Sequence, residues 1–95
     1  MKTFVFDLDG TLLNTEGGNY ASSIPISKRV YILTELYKSG NTIVIQTARA
    51  KHWEEFTKRQ LEVFDIPYHV LSVGAKIWGD VYIDDKGIND KDFFQ

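Results

Sequence analysis

The stretch Phe4-Val5-Phe6-Asp7-Leu8-Asp9-Gly10-Thr11-Leu12 constrains this chain more than any other. Thr3 to Phe6 is an unbroken apolar run, which suits a strand covered on both faces, as in a parallel sheet; a half-buried strand would alternate. Acidic residues are depleted in strand interiors, so Asp7 marks the point where the strand leaves the core. Gly10 permits the bend that follows. Two carboxylates one residue apart repel each other, and a bound cation or a shared proton is the simplest relief.

The rest of the chain alternates strand and helix. Residues 10–25 read as a loop, since Asn14-Thr15-Glu16-Gly17-Gly18-Asn19 is turn chemistry throughout. Pro25 introduces a helix with Ser27 as N-cap, and Val30, Leu33, Leu36 and Tyr37 fall at helical spacing. Gly40-Asn41 stops it. Thr42 to Thr47 is a β-branched strand that ends at a hydroxyl. A second helix spans roughly Lys51 to Phe64, with Trp53, Phe56, Leu61 and Phe64 as its apolar stripe, and ends at Asp65-Ile66-Pro67. Tyr68 to Val73 is a third strand, and Asp80 to Ile83 a fourth that runs into Asp84-Asp85. The polar tail carries Phe93 and Phe94 and reads as a short helical turn packing back on the sheet. This order predicts one α/β domain over residues 1–95: a small, mainly parallel sheet of about four strands with helices on both faces. The segment from Val73 to Asp80 is too short for a crossover helix, so an extended crossing must lead into the fourth strand.

Composition narrows the function. Ninety-five residues with 43% hydrophobic and 25% charged side chains fit one small core. A formal charge of −2 gives no general basic field, so a nucleic-acid partner is disfavoured rather than excluded. Cysteine is absent, which removes disulfides and thiolate metal sites and fits a reducing compartment. The first apolar run is too short for a signal peptide or a membrane span, and a cytoplasmic location is expected.

Three of the strands end in polar groups: Asp7 with Asp9, Thr47, and Asp84 with Asp85. A parallel sheet would bring them to one edge, beyond the carboxyl ends of its strands, where ligands bind. Four carboxylates without His or Cys at metal-site spacing form a hard-oxygen set suited to Mg²⁺ rather than Zn²⁺. Among carboxylates so placed, one can act as a nucleophile and another as acid and then base. Thr47 can donate to a phosphoryl oxygen, and a lysine can offset the negative charge.

Asp7-Leu8-Asp9-Gly10-Thr11-Leu12 resembles the first motif, DxDGT[LV], of the haloacid dehalogenase superfamily. The strand ending at Thr47 resembles its second motif, and Ile83-Asp84-Asp85 the acidic form of its fourth. The resemblance spans nearly the whole chain and implies a Rossmann-like fold and a Mg²⁺-dependent phosphohydrolase. Asp7 would be nucleophile and metal ligand, and Asp9 the acid/base, with its backbone carbonyl also on the metal. Thr47 would bind the phosphoryl group, and Asp84 and Asp85 would complete the metal shell. The acid at position 9 points to a phosphohydrolase rather than a dehalogenase. Lys76 is the candidate for the lysine of the third motif by its order in the chain, although its spacing to Asp84 is short; Lys51 and Lys86 are the fallbacks. No cap domain is expected, because only residues 12–25 follow the first motif and residues 48–67 read as one helix. The site should therefore be open, with a small-molecule phosphomonoester as substrate and self-association as a means of covering a sheet edge.

Residues 14–20 and 73–79 are similar to those of small capsule-biosynthesis phosphatases of that superfamily, which implies a sugar phosphate. Thr47-Ala48-Arg49 resembles the TxR of polynucleotide 3′-phosphatases, which makes Arg49 a candidate phosphate ligand and a nucleotide or polynucleotide the alternative substrate. A non-catalytic interaction module on the same fold is the remaining alternative.

Overall fold

The computed structural model describes residues 1–74 and 79–83. The apolar run forms β1 (Thr3–Asp7), and Phe4, Val5 and Phe6 are buried as a doubly covered strand requires. After it come β2 (Leu13–Asn14), β3 (Ile24–Pro25), α1 (Ser27–Lys38), β4 (Thr42–Thr47), α2 (Glu54–Val63), β5 (Val70–Val73) and β6 (Val81–Ile83). One sheet holds four strands in the order β5-β4-β1-β6, and every pairing in it is parallel. The mainly parallel four-stranded α/β architecture predicted from the sequence is the one observed.

Register explains the core. Phe4 pairs with Ile43 and Phe6 with Ile45, while Ile45 pairs with Leu71 and Phe6 with Ile83. Side chains at these matched positions share one face of the sheet. They meet Leu33 of α1, Leu61 of α2 and Ile66 in a single cluster. Two right-handed crossovers in the same direction put both helices over that face. The sequence places helices on both faces; among the described residues α1 and α2 both lie over this one, and the tail, read as a short helical turn on the sheet, lies outside the described residues.

That other face carries Val5 and Val44, both buried. Gly79 lies directly on it: a Cβ there would meet Val5 Cγ2 and Thr3. Next to it, Asp80 clamps the start of β1. Its N–H donates to the Thr3 carbonyl at 2.9 Å, and its Oδ2 accepts from the Thr3 N–H at 2.6 Å. A small residue followed by a two-bond clamp sets β6 parallel to β1 with only residues 74–80 between β5 and β6.

Three local expectations are corrected. Ser27 is the first residue of α1 rather than its N-cap; Ile26 occupies that position with no side-chain bond. The cause lies upstream: Pro25 pairs with Leu13 and the Ile26 N–H donates to the Leu12 carbonyl at 2.8 Å, which holds residues 25 and 26 extended. The loop over residues 10–25 accordingly contains the β2–β3 hairpin and a 3-10 turn, Tyr20–Ser22. The third strand begins at Val70 rather than Tyr68. His69 completes the ladder with its side chain, since its Nδ1 accepts from the Ile43 N–H at 3.0 Å while its own N–H donates to the Ile43 carbonyl at 2.8 Å.

Candidate active site

The carboxyl ends of β1 and β4 lie side by side, with Asp7 paired to Gln46. The chain leaving β1 turns sharply. The Leu8 carbonyl accepts from the amides of Thr11, Leu12 and Leu13 at 3.3, 2.9 and 3.0 Å. Gly10 sits at φ +86°, in the left-handed region that glycine alone enters without strain. Leu8, Leu12 and Leu13 are fully buried, so they anchor the turn while the acids on either side of Leu8 stay partly exposed. Asp7 and Asp9 line one cavity of about 330 Å³ together with Gly10, Thr15, Gly18, Tyr20 and Ala48. A larger hollow of about 500 Å³ among Tyr37, Glu62, Pro67 and Tyr68 lies toward the amino ends of β4 and β5, away from this pair.

Asp9 is held from several elements. Arg49 approaches it as a fork, Nε to Oδ2 at 3.0 Å and Nη2 to Oδ1 at 2.8 Å. The Thr15 hydroxyl donates to Oδ1 at 2.7 Å. The Arg49 side chain has no exposed surface at all. A guanidinium in that position needs a counter-charge and partners for its remaining donors. Asp9 supplies the charge, and Nη1 donates to Thr57 Oγ1 at 3.0 Å and Gln60 Oε1 at 2.8 Å, both on α2. The Gln60 amide then donates to the Tyr20 carbonyl at 2.7 Å, and the Arg49 guanidinium lies 4.3 Å from the centre of the Tyr20 ring. Trp53 meets Tyr20 edge-on at 5.0 Å and Phe56 at 5.3 Å, so it packs the hairpin loop against the start of α2.

Of the residues singled out from the sequence, Asp7 and Asp9 come together at the cavity wall. Thr47 is buried behind them, and its hydroxyl oxygen accepts from the Arg49 N–H at 3.1 Å. Arg49 reaches the site through Asp9, not as part of the cavity wall where a phosphate ligand was expected. Lys51 pairs with Glu54 at 3.3 Å and is 83% exposed. Lys76, Asp84, Asp85 and Lys86 lie outside the described residues; β6 ends at Ile83, opposite Phe6, one position short of the level of Asp7. Among the described residues no group of three or more acidic, His or Cys side chains is placed to hold a metal.

The sequence reading passed over Thr57 and Gln60. Their signal is their position: they fall on the buried side of α2 beside Leu61, where an apolar stripe would ordinarily continue. Two polar residues there announce a buried polar partner, because such groups are paired when desolvated.

The same architecture recurs among known proteins. A family model described as haloacid dehalogenase-like hydrolase matches residues 4–95. A solved structure from Vibrio cholerae is similar over 99% of this chain and 88% of its own, at 30% identity and a TM-score of 0.75. Two structures of the Pnkp1/Rnl/Hen1 complex, one described as an RNA repair complex, share the fold at a TM-score of 0.68 each and 22% and 21% identity. They match 75% and 77% of this chain but only 27% and 26% of theirs, so this chain spans about a quarter of their length. No curated protein matches.

Proposed function

The chain belongs to the haloacid dehalogenase-like hydrolases, and from that premise we propose that it is a Mg²⁺-dependent phosphohydrolase of small phosphomonoesters. The observation that carries this reading is the pair Asp7 and Asp9 in one cavity at the carboxyl end of β1, with Asp9 held by three hydrogen bonds. Asp7 attacks phosphorus in line; the bond from phosphorus to the ester oxygen breaks as Asp9 gives that oxygen a proton. The alcohol leaves. Asp9, now a carboxylate, takes a proton from water, which attacks the aspartyl-phosphate and releases inorganic phosphate, restoring Asp7. The described cavity wall offers oxygen donors and neither His nor Cys, a set that fits a hard cation. Asp7 and the Asp9 backbone carbonyl, with Asp84 and Asp85, would hold Mg²⁺, which when bound neutralises charge on the phosphoryl oxygens. Lys76 is assigned to that same charge and Thr47 to a phosphoryl oxygen. Residues 8–26 fold into a hairpin and a short turn, and residues 48–69 into a turn and α2, a layout that supports an uncapped, open site.

The test is phosphate release from an aryl phosphate with and without Mg²⁺. Activity should vanish on chelation. Asp7→Asn should abolish turnover, and Asp9→Asn should lower it by about 10²–10⁴-fold while metal binding largely survives. Full activity in Asp7→Asn would remove the nucleophile assignment. A panel of sugar phosphates against 3′- and 5′-nucleotides then decides the leaving group, with sugar phosphates expected to be the better substrates.

A further inference from the structure

We infer that Arg49 is the positioning residue of Asp9, fixing the acid/base carboxylate at the cavity wall and tying it to the hairpin loop through Gln60. The inference rests on the phosphohydrolase reading above and adds a role that reading does not need. A free aspartate samples several rotamers. Here both carboxylate oxygens are engaged, Oδ2 by Nε at 3.0 Å and Oδ1 by Nη2 at 2.8 Å, with Thr15 also on Oδ1. The guanidinium is itself immobilised by Thr57 and Gln60 of α2. Gln60 passes the constraint on to the Tyr20 carbonyl, and Tyr20 lines the same cavity as Asp7 and Asp9.

Two observations argue against simpler roles. Arg49 has no exposed side-chain surface, so contact with a substrate phosphate would require it to leave its partners. A buried ion pair is weak evidence for stability, since apolar replacements of similar volume often serve as well. Its place beside Asp7, at the one point where proton transfer demands a fixed geometry, gives it a purpose that packing does not.

The experiment compares two phosphomonoesters that differ in leaving group, an activated aryl phosphate and an alkyl phosphate, with Mg²⁺ present. Only the alkyl ester depends strongly on a proton from Asp9, and kcat/KM reports the first phosphoryl transfer alone. Arg49→Lys keeps the charge but loses the two-pronged fork. Its kcat/KM should fall about 10²-fold on the alkyl ester and less than about 10-fold on the aryl ester, through kcat rather than KM. Gln60→Leu, which leaves the Asp9–Arg49 pair intact, should show the same selectivity at about 3- to 10-fold. Thermal melts verify folding, and if Arg49→Lys does not fold, Gln60→Leu alone decides. Equal losses on both esters, or no loss on either, overturn the positioning role while leaving the phosphohydrolase reading intact. A wild-type protein that cleaves neither ester, or an Asp7→Asn variant that cleaves both, overturns that reading and this inference with it.

Discussion

Gly79→Ala tests how β6 is brought to the sheet. A Cβ at this position would come inside 3.0 Å of Val5 Cγ2, with Thr3 Cγ2 at 3.3 Å and the Thr3 carbonyl oxygen at 3.4 Å. Ordinary contact between carbons is about 3.5–4.0 Å, so the new methyl overlaps Val5 and crowds Thr3. Neither can yield cheaply. Val5 is 2% exposed and sits mid-strand between Val44 and Tyr82, so moving it disturbs two ladders. Thr3 is tied to Asp80 by two hydrogen bonds, one to the Asp80 carboxylate and one from its backbone N–H. Overpacking of this kind costs about 1–3 kcal/mol. For a domain of this size each kcal/mol is worth about 4–8 °C, so the variant should melt about 4–24 °C below wild type, followed by circular dichroism. Val5→Ala destabilises by itself, but it empties the space the methyl needs. The double variant should therefore be more stable than the sum of the single effects predicts, by about 1 kcal/mol. A melting temperature within about 2 °C of wild type for Gly79→Ala, or strict additivity in the cycle, would refute the close-packing argument.

Two further predictions concern the edges of the fold. His69→Leu leaves the Ile43 N–H without its acceptor and removes the stack on Tyr37 at 4.7 Å, so urea melts should show a loss of about 1–3 kcal/mol; a variant as stable as wild type would mean the imidazole bond is not made. At the start of α2, hydrogen bonding and charge from Lys51, then Lys58, hold the Glu54 carboxyl below its ordinary value. A depressed carboxyl stabilises above its unfolded value and loses that contribution as pH falls through its folded value. The difference in melting temperature between wild type and Glu54→Gln should thus be present at pH 7 and shrink toward pH 3 and in 1 M salt; a difference that grows on acidification contradicts the assignment.

What could be read from the sequence follows the range of the interaction that decides it. β1 and β4 are legible because a continuous apolar run has few alternatives, and Asp7 with Asp9 because one residue of spacing fixes their proximity. Ser27 misled because a good capping residue was overruled by Pro25 pairing with Leu13, a contact twelve positions away. The start of β5 was hidden because His69 completes the ladder with a side chain, which no strand pattern records. The direction of Arg49 is decided by Thr57 and Gln60 on α2 and by Asp9 forty residues upstream. Its position after a strand ending in a hydroxyl suggested a phosphate ligand; only the packing of α2 shows that the fork turns inward.

The enclosed guanidinium also bears on how such a chain could lose its chemistry over time. Replacing Asp9 by an apolar residue would strand a cation with no access to solvent, a change that typically costs about 3–5 kcal/mol when one partner of a buried pair is removed. Small domains hold only about 5–15 kcal/mol in total. Drift at Asp9 to an apolar residue would thus weaken the fold itself. A descendant that kept the fold as a bare scaffold would be expected to discard the arginine and the aspartate together, and this chain retains both.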